Sequence, residues 1–263
     1  MTTTQKDILH TSTMPVIALR GLTIFPNVLI HFDVARDISI KSLETAMTTG
    51  SPVFLVAQKD ISVEVPDQRD LYVVGTISNV RQILRMPGDN VRVMVEGQAR
   101  GKLLRLLRTE PYLEGEILEL PEEERTGTSA RTEALMRSTY ELFQRYTELA
   151  PKVSPDLLIH VLASQDPGYI SDYIAQNIPM RNSDKQTILE ERRPLRRLEK
   201  LHRLLDREVE ILALDNEIQS KAREQMSDQQ RDYYLREQMK AIQAELGEGE
   251  GGGAGAEEGP GLP

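Results

Sequence analysis

Apolar and polar positions change rhythm along the chain. From Met14 to Leu120 the apolar residues come in short runs: MPVIALR (14–20), NVLIHFDVA (27–35), PVFLVA (52–57), LYVVGTISNVRQILRM (71–86), VRVMVEGQARGKLLRLL (91–107) and YLEGEILEL (112–120). Runs of this kind, β-branched or apolar and bounded by Gly and Pro, predict strands. In the fifth, Val91, Val93 and Val95 alternate with Arg92, Met94 and Glu96, the period of a half-buried strand. Pro87-Gly88-Asp89-Asn90 ahead of it predicts a hairpin turn. Residues 36–49 depart from this pattern, because Ile38, Leu43, Ala46 and Met47 fit a helical face closed by Gly50. Six short strands and one helix predict a small, closed or half-closed β-barrel.

Beyond the charged breaker PEEERTGT (121–128), the period becomes helical. Ala134/Leu135, Leu142/Phe143 and Tyr146/Leu149 predict an amphipathic helix stopped before Pro151. Ser154-Pro155-Asp156 and Asp166-Pro167-Gly168 each set an N-cap residue before Pro at the first helical position. Ser183-Asp184-Lys185-Gln186 has the form of a capping box opening another helix. Between Pro194 and Gly247 there is no Gly or Pro, which predicts one very long helix over 194–246. Leu198, Leu205 and Leu212 form one row along it, and Leu204, Ile211 and Ile218 a second, so it is expected to pack as far as Ile218. Ser227-Asp228-Gln229-Gln230 is a second capping-box sequence, at which the rod would split.

The last part of that helix has two apolar sides. Leu235, Met239, Ile242 and Leu246 form a narrow stripe, Met226 and Tyr233 fall nearly opposite, and Tyr234 lies on the flank. One reading buries both sides against neighbouring helices. The other gives Met226, Tyr233 and Tyr234 to a subunit or an unfolded polypeptide, contacts that suit a flexible thioether and amphipathic rings. Leu22, Ile24, Phe25 and Pro26, in the Arg20–Pro26 loop, are further candidates for polypeptide contact, with plain barrel packing as the alternative.

Composition narrows the chemistry. The chain of 263 residues has no cysteine, which excludes a disulfide scaffold, a thiolate metal site and a Cys nucleophile, and suits a cytoplasmic protein. No apolar run approaches the ~18 residues of a membrane span, and the N-terminus lacks the form of a secretion signal. Residues 1–13 read as a disordered lead-in. The net charge is −9, four of the acids lie in the Gly/Glu-rich tail 247–263, and the body is therefore mildly acidic. That balance disfavours nucleic acid as a ligand. Gly97-Gln98-Ala99-Arg100-Gly101-Lys102-Leu103 has the wrong spacing for a phosphate loop and sits in a strand pattern. His10, His31, His160 and His202 are too scattered for a metal, and His160 reads as a satisfied histidine inside a helical bundle. Glu122-Glu123-Glu124 and Glu190-Glu191 read as solvated faces. The basic run Arg192, Arg193, Arg196, Arg197, Lys200, Arg203, Arg207 reads as helix-surface ion pairing, with anion or partner docking as the alternative. No catalytic, cofactor-binding or metal residue is assigned.

QRDYYLREQMKAIQAELGE (230–248) resembles the signature closing the N-terminal region of Lon, the ATP-dependent AAA+ protease. PVIALRGLTIFPNVLIHFDVAR (15–36) is similar to the opening of the Lon substrate-binding domain, and FLVAQKD (54–60), LYVVGTISNV (71–80) and Pro-Tyr-Leu (111–113) follow in the family's order. The resemblance covers about residues 14–248. It implies an α+β chain with a PUA-like β-barrel substrate-binding domain (14–120), a helical bundle (128–193), the long helix (194–246) and the flexible tail (247–263). It also implies binding of unfolded, damaged or degron-bearing proteins, an AAA+ motor docked on Leu235, Met239, Ile242 and Leu246, and a homo-hexamer. ATP and magnesium would belong to the motor of the parent protein, which with the Ser-Lys peptidase does not follow Glu245-Leu246-Gly247-Glu248 here. The chain alone is therefore expected to be no enzyme. Alternatives are a chiefly structural oligomerisation module, a stand-alone Lon-domain adaptor, or an RNA binder by analogy with PUA-like barrels.

Overall fold

Strand β1 (Thr11–Leu19) is where the two faces of the sheet are told apart. Met14, Val16 and Ala18 enter one apolar cluster with Phe54, Val56, Leu71, Ile77, Leu103, Leu113 and Ile117. Ile17 and Leu19 enter a second with Ile24, Val34, Leu43, Ala46, Val53, Leu55, Val93 and Val95. The same alternation runs through β3 (Val53–Ala57), which pairs with β1 in parallel, so both strands are buried on both sides. This explains their unbroken apolar runs.

The remaining strands are β2 (Leu29–Val34), β4 (Val74–Arg85), β5 (Val91–Arg108) and β6 (Glu114–Leu120). They form one six-stranded mixed sheet in the order β2-β5-β4-β3-β1-β6. Because β6 pairs with both β1 and β5, five strands pair in a cycle, and β2 lies outside it on β5. Helix α1 (Asp37–Thr49) ends at Gly50 in the left-handed conformation (φ 64°) and lays Leu43 and Ala46 on the second cluster. Met47, expected on that face, is exposed, and Ser39 and Ser42 are buried instead.

The computed structural model describes residues 10–87, 90–123, 129–150, 153–154 and 156–249, with side chains except at 226–229 and 243–249. The centre of the expected hairpin turn (Gly88, Asp89), the breaker from Glu124 to Thr128 and the tail from Glu250 onward lie outside them, as does most of the lead-in. Of that lead-in, Thr11–Thr13 are strand, pairing with Glu116–Leu118.

Helices α2 (Ala130–Leu149), α3 (Asp156–Leu162), α4 (Pro167–Asn177), α5 (Asn182–Leu189) and α6 (Pro194–Gly249) follow. Asp166 caps α4 as its sequence requires, accepting from the backbone N–H of Gly168 (2.8 Å) and Tyr169 (3.4 Å). The expected capping box at Ser183 is not one. Helix α5 starts a residue earlier, and Asp184 pairs with Arg181 and Arg207. His160 is no bundle histidine but is exposed in the last turn of α3, its ring 5.4 Å from that of Tyr173.

Two compact units are present, Met1–Val209 and Glu210–Pro263. Within the first, α6 buries Leu198, Leu201, Leu205 and Val209. In the second, Leu212 is half-buried and Ile211, Leu214 and Ile218 are exposed, so full burial ends at Val209 rather than running as far as Ile218. The backbone is helical through 227–230, so the second capping box does not split the helix.

Candidate functional site

Three neighbourhoods carry the candidate residues. The first is the loop after β1. Ile24 (2% exposed) and Phe25 (0%) are core, Pro26 is buried, and only Leu22 is half-buried. The surface of Ile24, Phe25 and Pro26 is used inside the fold, in line with the packing alternative for this loop. The Phe25 N–H donates to Gln176 Oε1 on α4 (3.1 Å), and Thr23 Oγ1 donates to Asn182 Oδ1 (2.6 Å). Gly97 lets the loop lie directly on β5, since a Cβ there would sit 2.3 Å from the Phe25 carbonyl oxygen. The loop joins the sheet to the helices.

A buried ion cluster strengthens that joint. Arg100 on β5 donates to both carboxylate oxygens of Asp172 on α4, at 2.6 and 3.0 Å, and its Nε donates to the Leu189 carbonyl (2.8 Å). Arg197, 0% exposed, donates to Asp172 Oδ2 (3.2 Å) and to Glu122. Sequence reasoning placed Arg197 on a solvated helix surface and Arg100 only in a rejected phosphate loop. The available signal was positional: Arg197 stands four residues before Leu201 and next to Leu198, inside the buried stripe. Glu123 and Glu191 are likewise ion-paired, with Arg192, Arg193 and Lys200. Nearby, burial pulls the Lys185 ammonium down to about 8, and its Nζ donates to the Gln176 carbonyl (3.2 Å).

The second neighbourhood is a cleft of about 320 Å³ taking in Ile17–Arg20 and Leu22 from β1 and its following loop, and Phe32–Arg36 from β2 and its end. Strand β6 pairs with β1 only over Thr11–Pro15, so on the side away from β3 no described strand covers Ile17–Leu19. Strand β2 pairs only with β5. The outer edge of β2 is thus not paired with a described strand, whereas on β1 side chains take the outward carbonyls, Ser42 that of Val16 and Arg36 that of Ala18. Arg36 donates to the Ala18 carbonyl, to Gln58 Oε1 (2.9 Å) and to the Glu64 carbonyl (3.3 Å). Arg20 donates to the Val63 carbonyl (3.0 Å). All four acceptors are uncharged, and among the described residues neither arginine is ion-paired with a carboxylate. The one acid in the lining, Asp33, is held by Arg92 at 2.7 and 2.9 Å.

The third lies in the second unit. Tyr233 (69% exposed) and Tyr234 (63%) are open to solvent, as are Leu235, Met239 and Ile242. Contacts there run along the helix, such as Gln238 Nε2 to Tyr234 Oη (3.0 Å) and Lys240 to Glu237 (3.0 Å). The side chains of Met226 and Leu246, named with these residues, lie outside the described ones. No described helix is long and apolar enough to cross a membrane, and no three described acids or histidines are placed to hold a metal.

The sequence model of the ATP-dependent protease La (LON) substrate-binding domain matches residues 13–207. The Lon protease of Brevibacillus choshinensis is 41% identical over 238 residues, which are 90% of this chain and 30% of that protein. Lon protease 1 of Bacillus subtilis (strain 168) is 36% identical over the same shares. The chain thus spans about 30% of the length of the curated relatives it matches. Among solved structures, the N-terminal domain of the Mycobacterium avium complex Lon protease aligns with a TM-score of 0.60 at 18% identity, covering 74% of this chain and 98% of that one. The Lon N-terminal domain protein from Xanthomonas campestris aligns at 0.53 and 15% identity. At such identities these two show the fold alone.

Proposed function

The chain belongs to the Lon (ATP-dependent protease La) substrate-binding-domain family, and from that premise we propose that it recognises unfolded, damaged or degron-bearing polypeptides for delivery to an AAA+ motor. The observation that carries this reading is the family match, which runs through both the sheet and the helices of the first unit. The cleft beside the outer edge of β2 supports it, since an extended chain can add its backbone hydrogen bonds to an edge that no described strand covers. On this reading Leu22 borders the bound chain, and Tyr233 and Tyr234 offer further contacts. Leu235, Met239 and Ile242 dock the motor or a neighbouring subunit of a hexamer, with Met226 and Leu246 in the same two groups. ATP, magnesium and peptide cleavage belong to the rest of such a protease, and the setting is cytoplasmic. The cycle of strand pairings supports describing the sheet as a PUA-like pseudo-barrel.

The test is binding of a labelled protein held unfolded, set against its folded form. Preference for the unfolded form is expected, and equal or absent binding contradicts the reading. A second reading, assembly through the long helix, is favoured by its exposed Ile211, Leu214, Ile218, Leu235, Met239 and Ile242. Solution mass of the chain with and without residues 219–263 decides it. A drop in subunit number on truncation supports assembly, and an unchanged number rejects it.

A further inference from the structure

We propose that the cleft between β1 and β2 captures the C-terminal end of a polypeptide, its α-carboxylate on Arg20 and Arg36 and its last apolar side chain against Leu22 and Phe32. The proposal rests on the polypeptide-recognition reading and adds which part of the substrate this cleft takes.

Charge identifies the occupant. Arg36 is half-buried at the mouth of an apolar cleft, yet among the described residues its guanidinium meets only uncharged oxygens, as does that of Arg20. An unneutralised cation taken partly out of water is costly unless a counter-ion arrives. Burial, and then the charge of Arg20, pull the Arg36 guanidinium below its ordinary range, as expected for two cations left without an anion between them. Asp33, the acid in the lining, is paired with Arg92 through both its oxygens rather than with Arg20 or Arg36. A carboxylate from outside fits, since guanidinium groups bind carboxylates through paired, charge-assisted hydrogen bonds.

Size selects a chain end. About 320 Å³ lies at the low end of the roughly 300–1,000 Å³ of ligand pockets, room for a terminus rather than a long traversing segment. Ile17, Leu19, Leu22 and Phe32 supply apolar wall for the last side chain, and the Ala18 carbonyl at this edge is already held by Arg36.

The experiment uses the whole chain and a fluorescent ten-residue peptide ending Leu-Val, prepared with a free C-terminal carboxylate and with a C-terminal amide. The free acid is expected to bind at least ~10-fold more tightly, a loss consistent with removing one charge-assisted contact. Arg20→Gln, at an exposed position, and Arg36→Met should each weaken the acid and leave the amide unchanged. Should Arg36→Met lower the unfolding midpoint, Arg20→Gln alone carries the comparison. Equal affinity for acid and amide overturns the proposal, as does an Arg20→Gln chain that still discriminates between them fully. A peptide with an internal Glu and an amidated end that matches the free acid also overturns it, by assigning the arginines to side-chain carboxylates. An unfolded protein with a blocked C-terminus separates the two levels. If it binds while the acid and amide peptides are equal, the cleft assignment fails and the recognition reading stands. If neither it nor the peptides bind, both fail.

Discussion

Replacing Asp172 by alanine is expected to lower the unfolding free energy by about 3–5 kcal/mol, read from urea or thermal unfolding. The size follows from what is left behind. Arg100 and Arg197 are both buried, and Asp172 is the carboxylate they share. Removing it strands two guanidinium groups in low dielectric, while Arg197 keeps Glu122 and Arg100 keeps only the Leu189 carbonyl. A triple variant, Arg100→Met with Asp172→Leu and Arg197→Met, should cost far less, because replacing a buried ion cluster as a whole by apolar groups is often close to neutral. If Asp172→Ala costs under about 1 kcal/mol, the three residues are not one buried cluster in solution.

Gly97→Ala is expected to destabilise by about 2–3 kcal/mol, measured the same way. Two effects oppose each other. Alanine restricts the unfolded chain and so favours folding by about 0.4–1 kcal/mol. Against that, the new Cβ would stand 2.3 Å from the Phe25 carbonyl oxygen and 3.1 Å from the Pro26 Cα. Both are backbone atoms, and that backbone is tied to β5 by Asn27 N–H to the Gly97 carbonyl (2.9 Å) and Gly97 N–H to the Val28 carbonyl (3.0 Å). The loop cannot yield as a flexible side-chain tip would, so the clash wins. An unchanged or raised midpoint would mean that the loop does not lie against β5.

Both predictions sit where sequence reading stopped. The strands were legible because short apolar runs between breakers carry a local signal, and β5 shows Val91, Val93 and Val95 buried as their alternation requires. Asp166-Pro167-Gly168 was legible because an N-cap involves neighbours in sequence. The cluster of Arg100, Asp172 and Arg197 was not: its partners are 72 and 25 residues apart, and a charge in sequence defaults to solvent. For Phe25-Pro26 the sequence left polypeptide contact and barrel packing both open, and nothing local announces that α4 offers Gln176 to its backbone. The end of the fully buried stripe at Val209 was equally hidden, since Ile211 and Ile218 continue the row that Leu204 begins. At the cleft, Leu22 was legible as a half-exposed apolar residue. Arg20 and Arg36 became notable only once it could be seen that, among the described residues, no carboxylate pairs with them.

The reading as a polypeptide-recognition chain stands or falls on discrimination between two states of one protein. Equilibrium titration of this chain against a destabilised, permanently unfolded variant and its folded parent measures that directly. The dissociation constant for the unfolded variant is expected to be at least ~10-fold lower, a difference of about 1.4 kcal/mol. Equal dissociation constants for the two, or no binding to either, would contradict it.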